Sequence, residues 1–271
     1  MFIKNPSLRN GGFLFFMDFV YICTMKWNTK INLDEHNVWF TADLHLYHSN
    51  ILWMNKRPFE NCDQMWEHIK NDWNSKVKDD DYVFILGDVL WGSSRYALAR
   101  MKNSLKGHIC IVMGNHDKEK DVDKTGKTNF DVFDSYERLE YIQVVSEKLG
   151  IMQNVFLSHY PTYTWPQKGR GSIHLHGHVH GIMDAYNEKS PDLRVDVGMD
   201  GKLAYMRLIS FDEVYNYFIH KAGDMPLTNY MAKVYADVNK RMDAKKEFDE
   251  LVDRADAMDD VDDEDEPYVV I

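Results

Sequence analysis

Short apolar runs and helix-spaced stripes alternate along the middle of the chain. Val38–Ala42 is the first run that reads as a strand. Asn61, with Gln64 three residues on, has the form of a helix-opening capping box. Behind it Met65, Trp66, Ile69, Trp73 and Val77 recur on one helical face, which predicts a helix with a buried side. Tyr82–Leu86 predicts a short buried strand. Tyr96, Ala97, Met101 and Leu105 predict a second helix that stops at Gly107, and Ile109–Met113 a third strand. Lys118–Lys127 is polar and reads as a loop. Two strands parted by Gly150 are expected within 139–157, with further strands at Ile173–His176 and Leu193–Val197. Ser210 with Glu213 is a second capping box, opening a helix through Tyr217 and Phe218. From Asn229 to Ala255 the apolar positions Met231, Val234, Val238, Met242 and Phe248 are again helical. Strands first alternate with helices and later follow one another, which predicts an α/β or mixed layered fold with both sheet faces covered.

The two ends differ from this body. Gly11–Cys23 is apolar but interrupted by Asp18, and it falls short of the ~20 residues a membrane-spanning helix needs. No A-x-A-like cleavage pattern follows, so residues 1–24 are expected to be a dispensable extension. At the other end DDVDDEDEP is a charge run expected to be disordered by self-repulsion. The expected organisation is an extension at 1–24, one domain at 25–225, a helix at 226–256 and an acidic tail at 257–271. Of the net charge of −11 over 271 residues, nearly all comes from residues 243–271, with 13 acids and 3 bases. The body is close to neutral, so a broad basic stripe for long nucleic acid is not expected. Cys23, Cys62 and Cys110 are too few and scattered for a disulfide framework, which points to a reducing, cytoplasmic setting.

Five apolar runs share one habit: each stops at a polar cluster. VWFTA ends at Asp43-Leu44-His45, YVFIL at Gly87-Asp88, and ICIVM at Gly114-Asn115-His116-Asp117. NVFL ends at Ser158-His159, and SIHLH at Gly177-His178-Val179-His180. Ligand-binding groups in α/β sheets lie just past the carboxyl ends of strands, so these ends would converge in one cleft. Asp43, Asp88, Asn115, His45, His159, His178 and His180 form a nitrogen and oxygen donor set without sulfur. Such a set suits Mn, Fe, Zn or Ni. Seven ligands exceed one tetrahedral ion and suit two ions sharing a carboxylate, the arrangement that clamps phosphoryl groups. His116 is left over, placed to act as an acid. Singly these pieces are weak; together and in this order they are a strong signal.

The series DLH, GD, GNHD, H and GHVH resembles the calcineurin-like metallophosphoesterase superfamily. That resemblance implies a four-layer sandwich of two mixed β-sheets flanked by helices. It implies that Asp43, His45, Asp88 and His180 hold one divalent ion, and that Asp88 bridges to a second held also by Asn115, His159 and His178. It further implies a metal-bridging hydroxide as nucleophile, His116 as general acid and Asp117 as the residue that orients it, with manganese the first metal to consider. DLHLYHSNI, KRPF, WN and GNHDK are similar to small metallophosphoesterases of bacteriophages and bacteria, which implies a compact enzyme. Protein serine/threonine phosphatases carry arginines in the matching blocks that GDVLWGS and MGNHD lack, so that branch is marked down.

Around this set His48 reads as a phosphate contact or a support to the ligands, and Arg57 as a bidentate phosphate contact. The segment TYTWPQKGRG offers Trp165 to stack a base, with Tyr47 and Trp91 beside other motifs. His174 and His176 alternate with His178 on one strand face and read as support to the ligands or as simply exposed, rather than as a third metal site. The expected activity is phosphodiester hydrolysis on nucleotide-like substrates. The alternatives are a phosphomonoesterase on a small metabolite and, further off, a metal-binding scaffold or sensor. A small-molecule phosphoester is the expected partner, without membrane or extended nucleic acid.

Overall fold

The computed structural model describes residues 29–92, 94–120, 126–236 and 238–259. The expected extension at 1–24 and the tail from residue 260 lie outside these residues. Two five-stranded mixed sheets form the centre. In one, the order is β10-β2-β3-β4-β5, made of β2 (Val38–Thr41), β3 (Tyr82–Ile85), β4 (His108–Val112), β5 (Ser135–Glu137) and β10 (Ile209–Ser210). All its pairings are parallel except that of β10 with β2. In the other, the order is β1-β6-β7-β8-β9, from β1 (Thr29–Asn32), β6 (Leu139–Ser146), β7 (Ile151–Ser158), β8 (Ile173–His176) and β9 (Arg194–Asp196). Here only β6 and β7 are antiparallel.

The period-two alternation of strands separates two cores. Phe84, Cys110 and Val112 point inward and meet Ile142, Val155, Leu157, Leu175 and Val195 of the facing sheet. Val83, Ile85, Ile109 and Ile111 point outward. There they meet Met65, Ile69 and Trp73 of α2 (Cys62–Lys76) and Leu98 and Met101 of α3 (Arg95–Ser104). Both strand faces are therefore apolar, which is why these segments read as continuous hydrophobic runs. Trp73 is wholly buried, and its Nε1 donates to the Lys106 carbonyl at 2.9 Å, so its one polar atom is satisfied. Burying such a ring stabilises the domain by roughly 2–3 kcal/mol.

The helix starts follow their caps. Asn61 accepts from Gln64 N at 2.9 Å at the head of α2. Ser210 and Glu213 form a complete reciprocal box at the head of α5 (Phe211–Lys221). The helical stretch after residue 225 is two helices, α6 (Leu227–Tyr235) and α7 (Val238–Asp259). The short strands β1, β5 and β10, and the short helices α1 (Asn50–Met54) and α4 (Asp184–Lys189), have no counterpart in the hydrophobic pattern. β1 and β5 lie at sheet edges and are half-exposed or polar, so no apolar run marks them. Among the described residues no helix is long and apolar enough to cross a membrane.

Candidate metal centre

The residues that follow β2, β3, β4, β7 and β8 come together beyond the ends of those strands. Two donor groups result: Asp43 with His45 and His180, and Asp43 with Asp88 and His159. Asp88 Oδ2 lies 3.5 Å from His45 Nε2 and 3.4 Å from His159 Nε2, so one carboxylate oxygen stands between the two groups. Asn115 Oδ1 is 2.7 Å from His159 Nε2. The His178 ring is 5.1 Å from that of His159, and its backbone N–H donates to both Asp43 oxygens at 3.0 Å. All seven expected ligands are thus in one place.

The backbone is bent to achieve this. Asp43, His45, Asp88, His178 and His180 adopt left-handed conformations, with φ of 55, 46, 55, 70 and 44°. Side chains there cost of order 1–3 kcal/mol each and persist only when the surroundings demand them. Glycine supplies the room. A Cβ on Gly114 would collide with Asp88 Oδ1, and one on Gly198 with Asp43 Oδ2.

The donor chemistry fits cations. His159 Nδ1 is 2.8 Å from the Leu86 carbonyl, which can only accept, so the proton sits on Nδ1. His159 Nε2, Asn115 Oδ1 and Asp88 Oδ2 then present lone pairs to one another, an arrangement that a cation resolves. His180 Nδ1 likewise donates to Asp200 Oδ2 at 2.7 Å, leaving its Nε2 as the donor to a metal. His45 Nε2 is buried with no hydrogen-bond partner. Burial, then the charges of Asp196 and Asp88, pushes the Asp43 carboxyl well above its usual range. Burial, then His180 and Arg57, holds His45 well below the usual imidazole range. Repelling buried carboxylates beside neutral imidazoles are what a divalent ion would stabilise.

Three expectations are corrected. Arg57 is buried, and its guanidinium donors are engaged within the protein. Its guanidinium donates to Asp200 at 2.9 and 2.6 Å and to the carbonyls of Leu44 and Asp43 at 3.0 and 2.7 Å. Trp165 is 3% exposed, packed with Tyr141 and Phe156, and its Nε1 donates to the Ser172 carbonyl at 3.0 Å, so it stacks no base. Asp117 does not orient His116. Its carboxylate accepts from the backbone of Asp88, Val89 and Gly114 at 2.7, 3.0 and 2.9 Å, tying the loop after β3 to the loop after β4.

His116 is buried beside the centre, its ring 5.4 Å from His45 and 5.3 Å from Trp91, and its N–H donates to Asp88 Oδ1 at 3.1 Å. His48 is fully buried, stacked on Trp91 at 4.3 Å and 5.6 Å from His45. It is part of the cleft wall. His174 and His176 are also fully buried: His174 Nε2 accepts from Thr162 N, and His176 Nδ1 lies 2.9 Å from the Gly177 carbonyl.

The sequence reading overlooked several residues. Asp196 braces the turn of the ligands through Gly181 N and Gly198 N at 3.0 and 2.7 Å, and Asp200 and Asn55 reach His180. Asp196 ends β9, so the strand-end habit could have found it. Tyr160 is 44% exposed against the His178 ring at 4.5 Å and is the accessible aromatic that Trp165 is not. Asp256, on α7, touches His178, and nothing local in the sequence marks it.

A family model described as calcineurin-like phosphoesterase matches residues 36–205. The Gene 66 protein of Mycobacterium phage L5 is 30% identical over 205 residues, 68% of this chain and 95% of the relative. An uncharacterised protein of Methanocaldococcus jannaschii, MJ1445, is 35% identical over 87 residues, 32% of this chain and 49% of the relative. The crystal structure of AQ665, a protein of unknown function from Aquifex aeolicus, is similar with a TM-score of 0.50 and 23% identity, over 67% of this chain and 99% of that one. That likeness speaks for the fold alone.

Proposed function

The chain belongs to the calcineurin-like phosphoesterase family, and from that premise we propose that it hydrolyses nucleotide-like phosphodiesters with two divalent ions. Metal-dependent phosphoester hydrolysis is the chemistry of the family, and the candidate ligand groups agree with it. The observation that carries the two-ion reading is the position of Asp88 Oδ2 between His45 Nε2 and His159 Nε2. In this reading Asp43, His45, Asp88 and His180 hold one ion, and Asp88, Asn115, His159 and His178 hold the other. When bound, such ions neutralise phosphate charge and make water more acidic; manganese is the first choice, with Fe, Zn and Ni as others.

The chain's own groups do the rest. His116 gives its proton to the leaving oxygen as the P–O bond breaks, while a water oxygen bonds to phosphorus and that water's released proton restores His116. His48 and Leu46 are buried beside the donor groups, and the half-buried Trp91 ring stacks on His48 at 4.3 Å. The half-exposed ring of Tyr160, 4.5 Å from that of His178, offers a face to a base or other flat group, and this supports nucleotide-like substrates. Arg57 is engaged by Asp200 and the Asp43 carbonyl and so is not placed to clamp a doubly charged monoester, which supports the diester reading. A cytoplasmic setting belongs to the same reading; neither Cys62 nor Cys110 is in a disulfide.

The test is turnover by protein stripped with chelator and reloaded with manganese, comparing an aryl phosphodiester with the matching monoester. Metal-dependent preference for the diester is expected. Preference for the monoester would redirect the search to small phosphorylated metabolites. No turnover of either, with two ions bound, would leave a metal-binding sensor as the better reading.

A further inference from the structure

We propose that Asp256, delivered by the C-terminal helix α7, is a positioning residue of the metal centre that makes His178 bind its ion through Nδ1. The inference rests on the two-ion reading above.

The helix is seated on the ligand loop itself. Phe248 and Ala255 are buried, and Leu251 and Val252 half-buried, against Val179, Ile182, Met183 and Tyr186. Positions 248, 251, 252 and 255 are one helical face. Val179 lies between His178 and His180, so this face covers the GHVH segment directly. Upstream, Tyr186 Oη donates to the Ala244 carbonyl at 2.7 Å, and the Arg194 guanidinium lies 4.6 Å from the Phe248 ring. The helix is therefore held from Ala244 to Asp256. Asp256 follows Ala255, and its Oδ1 reaches His178 Nε2 at 2.7 Å; the carboxylate is half-exposed and the imidazole buried.

A carboxylate at that distance accepts, so the Nε2 proton is fixed and Nδ1 keeps the lone pair. Outer partners of this kind set the tautomer and raise the basicity of a ligating imidazole. His159 and His180 have such partners too, the Leu86 carbonyl and Asp200, but both act on Nδ1. His178 is held in the opposite sense. Leu86 and Asp200 lie within the segment 36–205 that matches the family model, whereas Asp256 lies beyond it. The helix that reaches the second ion's ligand thus lies outside the matched segment.

The test uses the full chain, metal-free, titrated with Mn2+ in competition with a chromophoric chelator. Wild type is expected to bind two ions. Asp256→Ala should weaken one of them by about 10–100-fold and leave the other unchanged. Asp256→Asn, whose amide oxygen can still accept from Nε2–H, should fall between, and Asp253→Ala, an exposed acid on the same helix, should match wild type. Nitrogen-15 spectra of the histidines should show an Nε2–H tautomer for His178 in wild type and a mixture in Asp256→Ala. Unchanged affinity in Asp256→Ala with helix content intact would overturn the proposal. So would an Nδ1–H tautomer in wild type, or faster diester turnover at unchanged affinity, which would mark Asp256 as an occupant of the substrate's place. If Asp256→Ala loses helix content, the comparison of Asp256→Asn with wild type decides: equal affinities and tautomers overturn the proposal. Wild type that binds fewer than two ions would instead overturn the two-ion reading beneath it.

Discussion

Replacing Arg57 by methionine separates a structural arginine from a phosphate contact. The Arg57–Asp200 pair is buried on both sides, with side chains 1% and 7% exposed. Removing one partner of such a pair costs about 3–5 kcal/mol, because the remaining charge is left buried. The Leu44 and Asp43 carbonyls also lose their guanidinium donors, so the upper half of that range, about 4–5 kcal/mol, is expected. For a domain of this size each kcal/mol moves the melting temperature by roughly 2–4 °C, which gives a fall of about 8–20 °C. Arg57→Lys keeps the charge but not the fork, and should lose only about 1–2 kcal/mol. Burial would raise the Asp200 carboxyl, yet Arg57 and then His180 outweigh it and hold it well below the usual range. The folded protein therefore stays ionised here when the unfolded chain takes up its proton. This stabilisation is complete above pH ~4, the ordinary carboxylate value, and is lost only in stronger acid. Differential scanning calorimetry at pH ~2.5 and pH ~7, together with kinetics on a diester, reads the acid loss, the stability change and any change in KM. A melting temperature unchanged in Arg57→Met, with KM raised, would refute the reasoning and return Arg57 to the substrate.

Three further outcomes are expected. His116→Ala should keep its metal affinity but lose about 10²–10⁴-fold in kcat on an alkyl diester, and much less on a nitrophenyl ester, whose leaving group needs little protonation; equal losses on both would argue against a general acid. Burial, then Asp196, pushes the Asp184 carboxyl up to about 7, so the folded state keeps a proton that the unfolded chain gives up, and stability falls as pH rises from about 4 to 7. With chelator present, Asp184→Asn should therefore gain about 2 kcal/mol in urea unfolding at pH 8, roughly half the unscreened linkage value because solvent reaches the group, and nothing at pH 4; equal effects at both pH values would contradict this. Ser210→Ala removes the complete capping box of α5 and should cost about 1 kcal/mol, seen as a small fall in melting temperature with turnover unaffected.

What the sequence determined by itself follows from local periodicity. β2, β3 and β4 are readable because parallel strands buried on both faces must be apolar at nearly every position, while β7 and β8 are read from shorter signals, the run Val155–Leu157 and the alternation of Ile173 and Leu175 with histidines. The candidate donor groups are readable because these same strands end abruptly in Asp, Asn and His, which a core seldom holds unpartnered. β1, β5 and β10 are not readable, since a short, partly exposed or edge strand needs no apolar run. The tertiary structure alone decided where each side chain points and what meets it from afar. Arg57 and Asp200 are 143 positions apart, and Asp256 is 78 from His178. Nothing in KRPF tells a phosphate contact from a buried ion pair, and nothing in TYTWPQKGRG tells an exposed tryptophan from a core one. Asp117 follows His116 in the chain, yet its carboxylate is claimed by three backbone donors on neighbouring loops. Residue type and strand position set which chemistry is available. Which nitrogen of each imidazole faces the centre is set by partners that only the folded chain brings within hydrogen-bond reach.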